Sequence, residues 1–188
     1  MQIKRLGPAV TVALTALGLL ALDIGEAWAA EPENTLLMDL KDGRVVIETR
    51  PDLAPRHIAR IKELVRQGFY DGLTFHRVID GFMAQTGDPD GDGTGGSGVK
   101  LKAEFSSEPH VRGTVSMART RNPDSADSQF FIVISTARHL DGQYTVWGRV
   151  TDGMEHVGKI KRGDKERDGA VDDPDRIVRL RVSADVNN

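Results

Sequence analysis

The feature that most constrains the fold of this chain is a series of short β-rich runs separated by turn residues. Runs rich in β-branched and aromatic residues are typical of strands, and Gly, Pro, Asn and Asp between them are typical of turns. The first two runs flank Asp42-Gly43, a dipeptide that favours a tight β-hairpin. The predicted strands cover residues 35–40, 44–49, 74–79, 82–86, 113–118, 129–135, 144–150 and 175–182.

Two stretches have helical character instead. Ile58, Ile61, Leu64 and Val65 recur at helical spacing with polar residues between them, which predicts a helix near 53–67. A second, short helix is predicted over residues 154–160. Many short strands with two helices favour a mainly β fold, namely a closed antiparallel β-barrel whose open ends are covered by the helices.

Composition excludes several classes of protein. The chain has 188 residues, of which 39% are hydrophobic and 28% charged, and this excludes a disordered polyelectrolyte and a polytopic membrane protein. The net charge is −3, so no basic excess is present to bind nucleic acid or an anionic bilayer. Cysteine is absent, which excludes disulfides, thiolate metal sites and thiol nucleophiles.

The N-terminus has the layout of a secretory signal peptide. Lys4 and Arg5 precede an apolar stretch over residues 6–22, and the small-residue sequence Ala27-Trp28-Ala29 follows. We therefore expect a signal peptide over 1–29 and a single periplasmic or secreted domain over 30–188. The alternative is an uncleaved membrane anchor, although the apolar stretch is short for a bilayer span.

Residues 129–134 carry apolar side chains on both faces of a predicted strand. Alternation places Gln129, Phe131 and Val133 on one face and Phe130 and Ile132 on the other. An antiparallel barrel strand is normally apolar on its inner face alone. Either a helix covers the outer face, or that face carries an apolar pocket with Phe131 as its floor and Gln129 at its rim.

Arg77 and the Phe82-Met83 pair leave alternatives open. A buried guanidinium without a partner is costly, so Arg77 must reach solvent, a ligand or the carboxylate of a structural ion pair. Alternation places it on the face of Phe75, which indicates a bulge. Phe82 and Met83 are either ordinary core residues or, if Gly81 bends the strand, two walls of one site.

Four motifs in order carry a resemblance to a known family. They are Phe-His-Arg-Val-Ile-x-Gly-Phe-Met-x-Gln-x-Gly-Asp from Phe75, Ser-Met-Ala from Ser116, Ser-Gln-Phe-Phe-Ile from Ser128, and Leu-Asp-Gly from Leu140 with a following Val-x-Gly-Arg-Val. Over residues 34–184 the chain resembles the cyclophilin-type peptidyl-prolyl cis–trans isomerases, of the compact bacterial exported kind. The resemblance implies an eight-stranded barrel capped by two α-helices, with the site on the outer barrel surface.

The resemblance also implies roles for individual residues. Arg77 matches the catalytic arginine, and Gln85 matches a catalytic rim group that orients either Arg77 or the substrate. The other matched substrate-binding residues are the proline-pocket walls Phe82, Met83, Phe131 and Leu140, the rim residue Gln129, the backbone-binding residues Ala118 and Arg119, and Tyr144 in place of a common pocket histidine.

Two departures from the family pattern affect ligand preference. His139 stands where many members carry tryptophan, which implies weak cyclosporin binding, and Arg119 replaces a frequent asparagine beside the groove. Thr120 is a candidate gatekeeper of the neighbouring pocket. The expected partners are proline-containing unfolded or flexible polypeptides, with no nucleic acid, no membrane after signal cleavage, and a monomeric state.

The implied reaction suits these residue types. The X-Pro bond is planar through resonance, and its transition state is a twisted amide whose nitrogen regains a lone pair. A permanently charged guanidinium on Arg77 favours that state by donating to the nitrogen or to the carbonyl oxygen. No bond breaks, so no metal, nucleotide or other cofactor is required.

Other signals favour different functions more weakly. Residues 88–93 begin like a calcium-binding loop, but position twelve is Val99 and not glutamate. Ser128 with His76 and His139 lacks the sequence context of a hydrolase triad. The rival hypotheses are a proline-peptide binding module that has lost catalysis, and a surface adhesin that uses the Arg-Gly-Asp sequence at 162–164.

Overall fold

The computed structural model describes residues 31–186, so the predicted signal peptide lies outside the described residues. Eight strands and two α-helices form the described part. The strands are β1 (Thr35–Leu40), β2 (Gly43–Thr49), β3 (Arg77–Ile79), β4 (Met83–Thr86), β5 (Thr114–Met117), β6 (Phe130–Val133), β7 (Val146–Asp152) and β8 (Arg179–Val182). The helices are α1 (Pro55–Arg66) and α2 (Met154–Lys159), with short 3-10 turns at Pro32–Asn34, Pro123–Ser125, Arg138–Leu140, Lys165–Arg167 and Ser183–Asp185.

All eight predicted strands are present, most of them shorter than predicted. The hairpin prediction is confirmed, because β1 and β2 pair antiparallel from Thr35 with Glu48 to Leu40 with Gly43. Within residues 31–186 all seven strand pairings are antiparallel, and they form one curled sheet in the order β3-β4-β6-β5-β7-β2-β1-β8.

The prediction of a closed barrel is not confirmed, because the sheet is an open half-barrel whose end strands β3 and β8 do not pair with each other. The residues that precede each end strand make the contact across the seam. Thr74 forms a bridge with Arg176, and the amide of Phe75 donates to the carbonyl of Asp175 at 2.8 Å. These residues form isolated hydrogen bonds and a single bridge instead of a continuous ladder. For this reason β3 and β8 are shorter than the predicted 74–79 and 175–182.

Helix α1 packs its apolar face into the main hydrophobic core. Pro55 occupies its first turn, where a missing amide hydrogen costs nothing, and Gly68 with φ +70° follows its C-terminus. Ile58, Ile61 and Leu64 are buried among the inward side chains of the strands, as the periodicity predicts. Helix α2 contributes Val157 to the same core. Within residues 31–186, no helix is long and apolar enough to cross a membrane.

Candidate functional site

Strand β6 has an apolar core on each of its faces. Phe130 and Ile132 lie in the main core, whereas Phe131 and Val133 lie in a second, smaller cluster. The cover on that outer face comes from the 3-10 turn Arg138–Leu140 and from Tyr144 rather than from an α-helix. The outer face opens into a groove of about 660 Å³, so the pocket explanation of the pattern fits and the helix explanation does not.

This groove brings together all of the sequence-predicted site residues except Gln129 and Thr120. Gln129 lines an adjoining pocket of about 120 Å³, together with Thr120. The predicted residues that line the groove are Arg77, Phe82, Met83, Gln85, Ala118, Arg119, Phe131, His139, Leu140 and Tyr144. The remaining lining residues were not predicted from the sequence, namely His76, Gly91, Asp92, Gly93, Arg167, Asp168, Ala170 and Val171.

Phe82 and Met83 lie on the same side of the sheet. Gly81 adopts φ +69°, and the amide of Phe82 closes a turn onto the carbonyl of Ile79. Strand β4 begins only at Met83, so alternation does not apply to Phe82. Both side chains pack in the outer cluster, as expected if glycine bends the chain.

Arg77 is the first residue of β3 and faces the groove. The expectation that it shares a face with Phe75 is wrong, because Phe75 is buried in the main core. The predicted bulge is also absent from the β3–β4 pairing, where Arg77 lies opposite Gln85 in regular register. Phe75 and His76 both precede the strand and lie outside it, so the alternation does not extend from Arg77 back to Phe75.

The Arg77 guanidinium is held by two side chains. Its Nε and Nη2 donate to the Asp168 carboxylate at 3.2 and 3.0 Å, and Nε also donates to the Asp168 carbonyl at 3.0 Å. Its Nη1 donates to Gln85 Oε1 at 3.1 Å. Of the five guanidinium N–H groups, one on each Nη atom has no acceptor among the described residues.

The contact with Gln85 continues as a directional hydrogen-bond chain. Gln85 Nε2 donates to Gln129 Oε1 at 2.8 Å. Gln129 Nε2 donates in turn to the carbonyls of Gly93 and Gly95 at 3.0 and 2.8 Å. Because each amide accepts at its oxygen and donates at its nitrogen, the chain fixes the orientation of both amides relative to Arg77.

The opposite wall of the groove is aromatic. Phe131 and Tyr144 meet edge to face with ring centroids 5.9 Å apart, and the ring centroids of Phe82 and His139 are 5.5 Å apart. The Arg119 guanidinium lies 4.4 Å from the centroid of Tyr144 and donates to the carbonyls of Gln143 and Thr120. Arg119 therefore extends the wall through its stacking and has most of its donors engaged within the protein.

A buried imidazole supports this wall from behind. His110 stacks on Phe131, its Nδ1 lies 3.1 Å from Asp141 Oδ1, and its Nε2 lies 3.1 Å from Ser116 Oγ. Burial lowers the pKa of His110, and the nearby Asp141 carboxylate opposes that shift. The hydroxyl of Ser116 donates to the carbonyl of Thr145. The ring is thereby fixed in orientation behind Phe131.

The residues behind the alternative signals make internal contacts. The buried Asp88 carboxylate accepts the backbone amides of Asp90, Asp92 and Gly93, and so shapes its own loop. Within residues 31–186, no group of three or more His, Asp or Glu side chains is arranged to hold a metal ion. Ser128 donates its hydroxyl to the carbonyl of Gly87, which does not fit a nucleophile.

The Arg-Gly-Asp sequence is also engaged within the fold. Arg162 pairs with Asp80, and Asp164 accepts the amide of Glu166 and pairs with Arg167. Both charged groups therefore hold the loop together.

Asp168, four residues beyond Asp164, had no sequence signal, because it ends an exposed charged run and lies 91 residues from Arg77.

The geometry combines an apolar notch with a fixed cation. Phe82, Met83, Phe131 and Leu140 form one wall that fits a small apolar ring. Arg77 lines the same groove and keeps two N–H groups without an acceptor among the described residues. Such a site can hold an apolar ring in place and stabilise charge that develops beside it.

Comparison with protein families gives one match along most of the chain. Residues 35–182 match the family model described as cyclophilin type peptidyl-prolyl cis-trans isomerase. A probable peptidyl-prolyl cis-trans isomerase of Brucella abortus is 54% identical, over 92% of this chain and 96% of that protein. Peptidyl-prolyl cis-trans isomerase B of Bacillus subtilis is 44% identical, over 71% of this chain and 94% of its own length.

Solved structures have the same fold. The cyclophilin AquaCyp293 of Hirschia baltica superposes with a TM-score of 0.74 at 28% identity, covering 83% of this chain and 76% of that one. A cyclophilin-type isomerase of Cryptosporidium parvum, solved in the presence of the dipeptide Ala-Pro, gives a TM-score of 0.72 at 28% identity. It covers 79% of this chain and 98% of its own.

Proposed function

The chain belongs to the cyclophilin-type peptidyl-prolyl cis–trans isomerase family, and from this premise we propose that it isomerises X-Pro bonds in exported polypeptides and assists their folding. Its enzymatic activity is peptidyl-prolyl cis–trans isomerisation. We further assign the residues that perform the reaction and the compartment in which it takes place. The observation that carries the residue assignment is the position of the Arg77 guanidinium across one groove from the apolar Phe131 wall.

The reaction requires only that one amide state be bound better than another. Rotation about an X-Pro bond has a barrier of about 18–20 kcal/mol because resonance keeps the peptide planar. In the half-rotated state the nitrogen becomes pyramidal and basic, so a cationic donor stabilises that state more than either planar isomer. Lowering the barrier by about 5–7 kcal/mol accelerates the reaction roughly 10⁴- to 10⁵-fold.

We assign Arg77 as the catalytic donor and Gln85 as the group that orients it. A guanidinium is a permanently charged donor, and the contacts of Arg77 with Gln85 and Asp168 leave one N–H on each Nη atom for the substrate. The donor contact from Arg77 goes either to the prolyl nitrogen or to the preceding carbonyl oxygen. Gln129 continues the hydrogen-bond chain at the rim of the groove.

The apolar wall holds the proline ring while the preceding carbonyl rotates. We assign this role to Phe82, Met83, Phe131 and Leu140, which form one buried cluster with Tyr144 at its edge. We assign binding of the peptide backbone to Ala118 and Arg119, which follow β5 beside the groove. His139 takes the place of a tryptophan found in many relatives, so we expect weak cyclosporin binding.

A coupled peptide assay tests the catalytic assignment. In a chymotrypsin-coupled assay on an Ala-Pro peptide, the wild-type protein should exceed the spontaneous rate, and Arg77→Ala should reduce kcat/KM about 10²-fold or more. Arg149→Ala, which removes an exposed arginine on β7 outside the groove, is the matched control. Unchanged turnover in Arg77→Ala would remove Arg77 from its role. Peptide binding without acceleration would favour the binding-module hypothesis.

The export proposal rests on the sequence of residues 1–29, which has a basic start, an apolar stretch and a small-residue cleavage site. Expression of the full chain in a Gram-negative host, followed by fractionation and mass spectrometry, tests it. We expect a monomeric periplasmic or secreted product that begins at Ala30. A full-length product in the cytoplasm would contradict export, and a full-length product held in the membrane would favour the anchor alternative.

A further inference from the structure

We propose that Asp168 is a positioning residue for the catalytic arginine, fixing the guanidinium of Arg77 so that its free N–H groups face the groove. The proposal deepens the function proposed above and rests on the role of Arg77 in it. The carboxylate and the guanidinium meet as a fork, with Nε to Oδ2 at 3.2 Å and Nη2 to Oδ1 at 3.0 Å. A two-point contact between planar groups fixes an orientation that a single hydrogen bond does not.

The backbone of the segment around Asp168 is tied to the edge of β3. The amide of Val78 donates to the carbonyl of Gly169 at 2.8 Å, and Ala170 forms a bridge with Arg77 itself. On the other side of the turn, the amide of Gly163 donates to the carbonyl of Val78 at 2.9 Å. The segment therefore continues the sheet beyond β3 and forms the groove wall on the Arg77 side.

Asp168 itself has a backbone conformation that few residues adopt. It lies in the left-handed region with φ +52° and ψ +34°, at the end of the 3-10 turn Lys165–Arg167. Asp and Asn tolerate this conformation better than most residues with a side chain. This conformation allows the carbonyl and the carboxylate of one residue to accept from the same arginine.

The hydrogen-bond count around Arg77 explains how this contact assists the reaction. Asp168 occupies the edge formed by Nε and one N–H of Nη2, and Gln85 takes one N–H of Nη1. The Nη2 N–H left for a substrate points away from Asp168, and Nη1 keeps the one N–H that Gln85 does not use. Without the two-point contact to Asp168, the Arg77 guanidinium is free to rotate about the terminal bonds of its side chain. Its free N–H groups then face the substrate for a smaller fraction of the time.

The size of the expected loss in kcat follows from the solvent exposure of the Asp168 and Arg77 side chains. The Asp168 side chain is 80% exposed and that of Arg77 31%, so solvent screens the pair, and its energetic contribution is that of a surface ion pair. In addition, the Asp168 carbonyl contact with Nε survives any change of side chain. We therefore expect Asp168→Asn to lower kcat roughly two- to fivefold with KM changed less than twofold.

Asp173→Asn is the matched control, because Asp173 is the other non-glycine residue with positive φ among residues 31–186. Its carboxylate is fully exposed and lies outside the groove. Asn has the same size as Asp and tolerates the same backbone conformation, so both Asn variants are expected to fold. Circular dichroism with thermal unfolding checks this. A second variant, Asp168→Gly, removes the side chain while allowing the left-handed backbone, and the same loss in kcat is expected.

Two readouts separate positioning from a purely structural role. Asp168→Asn should cause no further loss in an Arg77→Ala background, because the effect acts through the guanidinium. The wild-type to Asp168→Asn ratio of kcat should approach one as NaCl rises from about 0.05 M to about 1 M, where the Debye length is about 3 Å. Asp173→Asn should match the wild type at every salt concentration.

Three results would overturn the proposal. Wild-type kcat in both Asp168 variants would show that the carboxylate does not position Arg77, and a raised kcat would show that it competes with the substrate for the guanidinium. An equal loss from Asp168→Asn with and without Arg77 would assign Asp168 a structural role instead. Failure of the proposed function has a different signature, namely Arg77→Ala with wild-type turnover.

Discussion

Replacing Gln85 with leucine tests whether the hydrogen-bond chain behind the catalytic arginine contributes to catalysis. The substitution keeps a side chain of similar size in strand β4 but removes the acceptor for Arg77 Nη1, which lies 3.1 Å away. It also removes the donor to Gln129 Oε1 at 2.8 Å. Arg77 keeps its contacts with Asp168, so the guanidinium remains in the groove with one fewer restraint.

The magnitude follows from the type of hydrogen bond that is lost. A hydrogen bond to a charged group contributes about 1.5–3 kcal/mol, which corresponds to roughly a ten- to hundredfold change in rate. Because the contact also exists in the free protein, this factor is the upper limit of the loss in kcat that we expect for Gln85→Leu. Gln85→Glu keeps the acceptor for Arg77 but cannot donate to Gln129, so its loss of kcat should be smaller than that of leucine.

The measurement is steady-state isomerisation of an Ala-Pro peptide, with thermal unfolding to verify that each variant is folded. Gln67→Leu, at an exposed glutamine that contacts Glu63 after helix α1, is the control for a generic loss of an amide. Wild-type kcat in Gln85→Leu would refute the reasoning. Equal losses of kcat in Gln85→Leu and Gln85→Glu would show that the hydrogen bond to Gln129, rather than the one to Arg77, contributes to catalysis.

Two further predictions concern stability. Gly153→Ala should lower the free energy of unfolding by at least about 2 kcal/mol in urea titrations, because φ is +83° and a Cβ would collide with the carbonyl of Arg44. Gly72→Ala, at φ +80° with open space around it, should cost less, and equal costs would contradict the collision argument. Burial lowers the pKa of His57, His76 and His110, so the unfolded chain binds more protons below about pH 6.5. The free energy of unfolding should therefore be greatest above that pH and fall as pH decreases through the lowered pKa values; a constant value from pH 7 to about pH 5 would contradict this.

The parts of the fold that the sequence predicts well are those that local chemistry determines. The Asp42-Gly43 turn specifies its hairpin, and the spacing of Ile58, Ile61 and Leu64 specifies the buried face of α1. Both depend only on neighbours within a few residues. The arrangement of the end strands depends instead on segments about a hundred residues apart, at Thr74 and Arg176, and no local pattern predicts how they meet.

The candidate site also has parts that the sequence predicts and parts that it does not. Phe131 and Val133 were predictable as a second apolar face because alternation within one strand places them together. The orientation of Arg77 was not, because β3 begins only at Arg77 and the alternation on which the prediction relied does not reach back to Phe75. Asp168 was missed altogether, since an exposed carboxylate in a charged run has no pattern that distinguishes it from its neighbours.

The most direct test of the central claim separates the binding of the peptide from its rotation. NMR exchange spectroscopy on an Ala-Pro peptide with wild-type protein and Arg77→Ala gives both the exchange rate on the enzyme and the Kd. If Arg77 stabilises the half-rotated amide, the bound exchange rate falls about 10²-fold while the Kd changes less than about threefold. An unchanged bound exchange rate, or a loss of activity explained entirely by a raised Kd, would contradict the account.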